Sequence, residues 1–240
     1  MSHKMQLSRQ RKNTVINKTS KRQESILMRA VDRVKKNIEM RYPGIKIKWI
    51  LQWELCSVIT RLKQSYPDVM FCDCFPSSSM RPDGGVLSVV DIHGKSYPVL
   101  ISEKKNQGTN DIREKEGKAR QAKGNAIERL GKNVIGLRAA LLNESIFPFV
   151  CFGDGCDFSE GSSIIDRVKT IAMFGNLNQV HLYNEGPSGL FNRGTYYFRE
   201  KEWTEDEMFV RSLDIANRSL LYYFSKYSQE WFVDRNDQSF

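Results

Sequence analysis

Two acidic residues and a lysine lie near the ends of two apolar runs, where they could act on a phosphodiester. Asp83 precedes the run 86–92, and Glu103 and Lys105 follow or close the run 97–103. Two carboxylates at close range repel each other unless a positive charge lies between them. Mg²⁺ suits this role, because it takes oxygen ligands and often only one or two protein carboxylates. The ammonium could stabilise charge on the phosphorus, or help to deprotonate a water on the metal.

Each half of this pattern also has an ordinary structural explanation. Pro-Asp-Gly-Gly at 82–85 is a good turn sequence, and Glu103 and Lys105 could be a solvated pair on one strand face. The functional interpretation gains weight because both halves occur in order and are joined by one short connection.

A hairpin would bring the two halves together. The runs 86–92 and 97–103 are predicted strands, and His-Gly-Lys-Ser at 93–96 is a turn signal between them. Antiparallel pairing places Asp83 beside the outer end of the second strand. Glu103 and Lys105 are two residues apart and therefore share one face of that strand.

Helices and strands alternate around this hairpin, which predicts an α/β domain with a mixed central sheet between two layers of helices. Apolar periodicity and stop signals predict helices at 24–41, 53–66, 125–142, 162–174 and 204–226. Further strands are predicted at 45–51, 69–75, 147–152, 179–183 and 194–199. A capping-box pattern at 204–207 marks the start of the last helix.

The composition indicates a globular protein of a reducing compartment. Hydrophobic residues make up 40% of the 240 residues, and no apolar run is long enough for a membrane span. The first residues are basic and polar, so no signal peptide is expected. The five cysteines and three histidines show no tetrahedral zinc spacing, and the thiols are expected to be reduced. A cytoplasmic location follows as an expectation.

The net charge of +9 predicts a polyanionic partner. Residues 4–22 contain seven Lys or Arg and no acid, so residues 1–23 are interpreted as a basic arm that contacts phosphates. A solubilising or tag-like tail is the alternative. Segment 109–123 is highly charged and has no apolar face, which indicates a solvated loop or a segment ordered by a partner.

Three segments resemble the EcoRI-type restriction endonucleases of the PD-(D/E)xK nuclease superfamily. They are Ser-Met-Arg-Pro-Asp-Gly-Gly at 79–85, Ile-Ser-Glu-Lys-Lys-Asn-Gln-Gly at 101–108 and Gly-Asn-Ala-Ile-Glu-Arg at 124–129. The resemblance runs from about 53 to 174 and is weaker at 202–221. The PD…ExK pattern is moderately specific, and the third segment is much more so. The resemblance implies a three-layer α/β/α restriction-endonuclease-like fold for a single nuclease domain at 24–240, with a recognition segment at 109–132.

The resemblance also implies roles for the residues of the first two segments. Asp83 and Glu103 would hold Mg²⁺, with the backbone carbonyl of Lys104 as a further ligand. Lys105 would be the catalytic lysine, and Gln107 would support the recognition region.

The third segment would enter the major groove of DNA. Asn125 can pair with an adenine edge, and Ala126 can touch a thymine methyl group. Glu128 and Arg129 would support this element, link two subunits and hold phosphates near the scissile bond. A helix N-cap is the alternative for Asn125, and a surface or salt-bridged residue is the alternative for Arg129.

Some residues depart from the pattern of the enzyme that gives the family its name. Lys104 replaces a small apolar residue, Lys123 replaces a small residue before Gly124, and Gln121 and Ala122 also differ. A lysine beside the adenine-reading asparagine could read the outer base pair or a phosphate. The expected site is therefore a palindrome with an AATT-like centre and a flanking pair that could differ. The predicted DNA-binding residues are Gln107, Gln121, Ala122, Lys123, Gly124, Asn125, Ala126, Glu128, Arg129 and Arg167.

The resulting hypothesis is a homodimeric, Mg²⁺-dependent type II restriction endonuclease that leaves 5′-phosphates on double-stranded DNA. A cognate DNA methyltransferase is expected in the same host. Two alternatives remain: a structure-specific or repair nuclease of the same superfamily, and a DNA-binding protein that does not cleave.

Overall fold

A five-stranded mixed sheet forms the centre of the protein in a computed structural model, which describes residues 15–106, 117, 125–158, 160–173 and 175–233. The strands are β1 (Lys46–Ile50), β2 (Trp53–Glu54), β3 (Ser79–Met80), β4 (Val86–Val90), β5 (Ser96–Asn106), β6 (Phe149–Asp154) and β7 (Thr195–Arg199). The α-helices are α1 (Val15–Arg41), α2 (Leu55–Ser65), α3 (Asn125–Ala139), α4 (Ser163–Ile171), α5 (Gly186–Gly189) and α6 (Glu205–Tyr227).

The main sheet has the order β1-β4-β5-β6-β7, and β2 and β3 form a separate pair. The strands from β1 to β5 pair antiparallel, whereas β5, β6 and β7 pair parallel. The predicted hairpin is present, with Val86 opposite Ile101 and Val90 opposite Ser96. Strand β4 begins at Val86, opposite Ile101, so the residues of β5 from Glu103 onward pair with β6 and with no other described strand.

Strand alternation divides the core into two layers. Val150 and Phe152 of β6 pack with apolar residues of α1 and α6, whereas Phe149 and Cys151 pack with apolar residues of α2, α3 and α4. The sheet therefore lies between two helical layers, and the predicted three-layer α/β architecture with a mixed sheet is confirmed. No described helix is both long and apolar enough to cross a membrane.

Helix α1 begins at Val15, nine residues before the predicted start at Glu24. The segment 15–25 contains no glycine or proline to stop a helix, and Gln23 is buried against the sheet. The end of the predicted arm is thus helical, and residues 1–14 lie outside the described chain.

Two predicted strands were wrong. Segment 69–75 forms no strand: Met70 and Phe75 are 99% and 81% exposed, and no described strand pairs with this segment. Segment 179–183 forms only an isolated bridge between Tyr183 and Ile146. In both places the sequence has strand-forming residues, but a strand also needs a partner edge.

Candidate active site

Asp83 lies in a tight turn that leads into β4. The Gly85 N–H donates to the Pro82 carbonyl over 2.9 Å, and Gly85 has a φ of +76°. The Gly84 N–H donates to the Ser102 carbonyl over 2.9 Å, which joins the turn to β5. The turn thus holds the Asp83 side chain beside the end of β5.

Glu103 and Lys105 lie on the part of β5 that extends beyond β4. The Glu103 side chain is only 2% exposed, whereas those of Lys105 and Asp83 are 17% and 23% exposed. The buried carboxylate is therefore followed, toward solvent, by an ammonium and a second carboxylate.

The structure brings these three side chains together. The Lys105 ammonium contacts Glu103 Oε1 and lies 3.3 Å from Asp83 Oδ2. The Asp83 N–H donates to Glu103 Oε2 over 3.0 Å, and the Lys104 N–H donates to Asp83 Oδ2 over 3.1 Å. Both carboxylates are thus held by one ammonium and by two main-chain amides.

The electrostatics follow from burial and from this shared ammonium. Burial raises the pKa of Glu103, Lys105 opposes the increase, and Asp83 adds to it. Burial alone would lower the pKa of Lys105, but the negative charges of Glu103 and Asp83 outweigh it and raise that pKa. Lys105 is therefore protonated near neutral pH, and its ammonium supplies one positive charge for two carboxylates.

A cleft of about 180 Å³ opens at this end of the sheet. Its lining residues are Gln23, Glu24, Asp83, Lys104, Lys105 and Asn106. Helix α1 thus forms one wall of the cleft, and the end of β5 forms the other. The Glu24 side chain is exposed, but its carboxylate is partly desolvated, and this effect and the charge of Asp83 raise its pKa.

The donor set fits a hard divalent cation. Asp83 and Glu103 offer carboxylate oxygens, and Mg²⁺ is commonly bound through one or two carboxylates together with water and phosphate. The described residues contain no group of three or more His, Cys, Asp or Glu side chains able to hold a metal. An ion here would thus depend on these two carboxylates and on non-carboxylate ligands.

The predicted recognition residues are only partly described. Gln107, Gln121, Ala122, Lys123 and Gly124 lie outside the described residues.

Asn125 and Ala126 form the start of α3, and only their backbone is described. Glu128 and Arg129 are exposed on the same helix, and Arg167 is exposed on α4. In the described part of the chain, none of these last three residues lines the cleft.

Sequence reasoning missed the residues that surround the catalytic candidates. Gln23 and Glu24 contribute to the cleft from α1, and Asp154, at the end of β6, binds the side chain of Lys104. An available signal was the polar residue that follows the buried run 147–153, because parallel strands place their carboxyl ends at one edge of a sheet.

A family model described as "Restriction endonuclease EcoRI" matches residues 9–230. The chain is 33% identical over 178 residues to the type II restriction enzyme RsrI of Cereibacter sphaeroides, covering 60% of this chain and 64% of that enzyme. It is 33% identical over 142 residues to the type II restriction enzyme EcoRI of Escherichia coli, covering 56% and 51%. The matches thus span between half and two thirds of the length of these relatives.

Proposed function

Since the chain belongs to the EcoRI restriction endonuclease family, we propose that it is a type II restriction endonuclease that cuts both strands of DNA at a short palindromic site. The observation that carries this proposal is the convergence of Asp83, Glu103 and Lys105 at the open end of β5. A carboxylate and an ammonium that line a cleft, with a second, buried carboxylate against the ammonium, are suited to phosphodiester hydrolysis.

Asp83 and Glu103 would hold Mg²⁺, with the backbone carbonyl of Lys104 as a further ligand. When bound, the ion supplies positive charge that offsets the negative charge developing on the phosphate. The carboxylates are suited to this role because hydrogen bonds from the main chain of Asp83 and Lys104 already fix their orientation.

Lys105 contributes a second positive charge. Its protonated ammonium can donate hydrogen bonds to a phosphate oxygen, or hold the attacking water in line with the bond that breaks. Water adds to phosphorus and gives up a proton, the P–O bond breaks, and the leaving 3′-oxygen takes up a proton, so the product strands carry a 3′-hydroxyl and a 5′-phosphate. Since Lys105 contacts both carboxylates, it must exchange part of this contact for the substrate.

We propose that the start of α3 and the segment before it read the DNA sequence. Asn125 offers an amide donor and acceptor to adenine, and Ala126 offers a methyl group to thymine. These contacts favour an AATT-like centre. Gln107, Gln121, Ala122, Lys123 and Gly124 would complete the reading surface, and Glu128, Arg129 and Arg167 would support it and contact phosphates.

A palindromic site requires a protein with two-fold symmetry, so we propose a homodimer in which each subunit cuts one strand. Such an enzyme would endanger its own host, and a DNA methyltransferase of the same specificity is therefore the expected companion protein.

The test is digestion of plasmid and phage DNA with Mg²⁺, followed by sequencing of the fragment ends. Discrete fragments that share one palindromic end sequence with 5′-phosphates are expected. Cleavage only at junctions or flaps would point instead to a repair nuclease, and retarded but intact DNA would point to a non-cleaving binder.

The variant Asp83→Asn tests the assignment of Asp83 as a metal ligand in the same digestion. It weakens the proposed metal site and so removes positive charge that would stabilise the transition state by several kcal/mol, and cleavage is therefore expected to fall by roughly 10³-fold or more. The affinity of Asp83→Asn for DNA in the absence of divalent ions should be largely retained. The control is Asp166→Asn on the exposed face of α4, which should cleave DNA like the wild type. Undiminished cutting by Asp83→Asn would refute the metal-ligand assignment.

A further inference from the structure

A buried polar cluster borders the candidate active-site cleft, on the face of β5 opposite Glu103 and Lys105. Its centre is an ion pair between Lys104 and Asp154, whose side chains are each only 2% exposed. Lys104 lies between the two catalytic candidates in sequence, and strand alternation directs its side chain away from theirs.

Asp154 is fully engaged in this cluster. Its Oδ1 accepts from Gln23 Nε2 and Asn106 Nδ2, each over 3.1 Å, and its Oδ2 accepts from the Lys104 ammonium and from the Trp203 N–H over 3.0 Å. These donors belong to α1, to β5 and to the segment before α6. One carboxylate therefore ties three parts of the fold to the end of β6.

Lys104 is held at both of its ends. Its ammonium binds Asp154, and its N–H donates to Asp83 Oδ2 over 3.1 Å. This N–H faces the edge of β5 that lies beyond the first residue of β4, so the Asp83 side chain takes the place of a neighbouring strand. Rotation of β5 at Lys104 would break the bond to Asp83 and turn the side chains of Glu103 and Lys105 together.

A buried ion pair is a costly way to gain stability. Removing two charges from water consumes most of their attraction, and well-packed apolar residues often serve stability as well or better. A buried ion pair can instead select one orientation, because a misplaced buried charge has no alternative partner.

We propose that the Lys104–Asp154 pair positions the catalytic residues, by fixing the peptide units on both sides of Lys104 and hence the directions of Glu103 and Lys105. The expected effect on DNA cleavage rests on the proposed function, whereas the effect on the directions of Glu103 and Lys105 concerns the folded protein alone. The side chains of Lys104 and Asp154 act as positioning groups in this proposal, since their charged groups bind each other in the protein interior.

The test compares Lys104→Met, Asp154→Asn and the double variant. Lys104→Met keeps the length of the side chain and leaves Asp154 with three hydrogen-bond donors. Each single variant is expected to bind Mn²⁺ about 10- to 100-fold more weakly by calorimetry, and to cleave DNA more slowly by a similar factor in single turnovers, as when residues that orient metal ligands are changed. Without divalent ions, the DNA affinity of each variant should differ from that of the wild type by less than about threefold.

Amide hydrogen exchange supplies a measurement that needs neither metal nor DNA. Faster exchange across residues 103–106 is expected in both single variants, at a temperature where circular dichroism shows them fully folded. The double variant leaves no unpaired charge, so its losses should be smaller than the sum of the single losses. It also covers the case in which a single variant fails to fold.

Lys226→Met is the matched control, since Lys226 forms an ion pair with Glu144, outside the cleft, over 3.0 Å. It should lower thermal stability at most, without changing Mn²⁺ affinity or exchange at 103–106. The proposal is overturned if the folded variants at 104 and 154 bind Mn²⁺ and exchange like the wild type. A wild-type protein that cuts no DNA would refute the proposed function. Mn²⁺ affinity and amide exchange at 103–106 would still decide whether the Lys104–Asp154 pair has a positioning role.

Discussion

Asp83 reaches β5 because the two glycines after it allow contacts that other residues cannot make. A methyl group on Gly84 would lie 2.1 Å from Ser102 Oγ and 3.0 Å from Leu27 Cδ2, and one on Gly85 would lie 2.5 Å from the Ile50 carbonyl oxygen. Gly85 also has a positive φ, which L residues with side chains rarely adopt. The glycines are therefore required by packing as well as by turn geometry.

Gly84→Ala is predicted to destabilise the fold by roughly 1–3 kcal/mol, because overpacking forces neighbouring atoms to move. Adding Ser102→Ala should restore part of this loss, since Ser102 Oγ is the nearest obstacle and makes no hydrogen bond within the described chain. Urea unfolding measures both effects.

Gly131→Ala on α3 is the control for this pair, because a methyl group there would meet Ile171 at an ordinary 3.5 Å. It should be neutral or stabilising, as alanine favours helices. An unfolding midpoint for Gly84→Ala equal to that of the wild type would contradict the packing argument.

At this scale, the sequence allowed local patterns to be predicted but not the contacts between distant residues. Glu103 and Lys105 are two apart on one strand, so their common face followed from strand geometry alone. Asp154 could not be assigned to Lys104, because the parallel register of β5 and β6 sets that contact across 50 residues. Gln23 was likewise hidden, since its contact depends on how α1 packs against the sheet.

Among the elements, α6 shows how a predicted start signal appears in the structure. The Glu207 N–H donates to Thr204 Oγ1 over 3.3 Å, and the Thr204 N–H donates to Glu207 Oε2 over 2.9 Å. Arg199, at the end of β7, donates to Glu207 Oε1 over 2.9 Å. The bond from Arg199, followed by that from the Thr204 backbone, lowers the pKa of Glu207 to about 2.

Glu207→Gln is predicted to destabilise the protein at pH 7 by less than about 1 kcal/mol, because water screens a pair of which the two side chains are 27% and 38% exposed. A lowered pKa stabilises the fold above the ordinary value of 4.5, and this contribution is lost as the pH falls toward 2. The difference in the free energy of unfolding between the wild type and Glu207→Gln should therefore disappear as the pH falls from 4.5 to about 2.

Urea unfolding at several pH values measures this gap. Glu54→Gln is the control, because Glu54 precedes α2 without a side-chain capping bond. The electrostatic explanation fails if the gap between wild type and Glu207→Gln stays constant down to pH 2.

The start of α3 carries the proposed reading of DNA sequence. Asn125→Ala is predicted to lower the ratio of cleavage at the preferred site to cleavage at sites with one changed base pair by roughly 10- to 100-fold, since a bidentate contact is worth about 1–3 kcal/mol. Single-turnover rates on matched duplexes measure this ratio. Lys132→Ala, on the exposed face of the same helix, should leave it unchanged.

An unchanged digestion pattern and ratio for Asn125→Ala would exclude Asn125 from base recognition. A uniform loss at all sites would assign it to helix capping instead.

Element prediction succeeded where the sequence pattern and the partner agreed. The hairpin of β4 and β5 needed only a local turn and two apolar runs, and the long helices α1 and α6 have strong periodicity. Segments 69–75 and 179–183 have strand-like composition, but the described sheet offers them no continuous edge. Composition reports the preference of a segment, whereas pairing depends on the rest of the fold.

For the whole molecule, the net charge of +9 predicts DNA binding that depends strongly on salt. Each phosphate contact releases counterions, so affinity should fall by roughly 10³-fold or more between about 50 and 200 mM salt if six or more phosphates are neutralised. Fluorescence anisotropy without divalent ions measures this slope for the preferred site and for a scrambled duplex. A flat response would contradict the basic surface as the source of affinity.

The ammonium of Lys105 has a consequence for the design of time-resolved experiments. This ammonium contacts both acidic side chains and so offsets their mutual repulsion. Under the proposed function, DNA would be bound first and Mg²⁺ would be added afterwards as the trigger. A crystal or cryogenic grid frozen at successive delays would then record the reaction from a synchronised beginning.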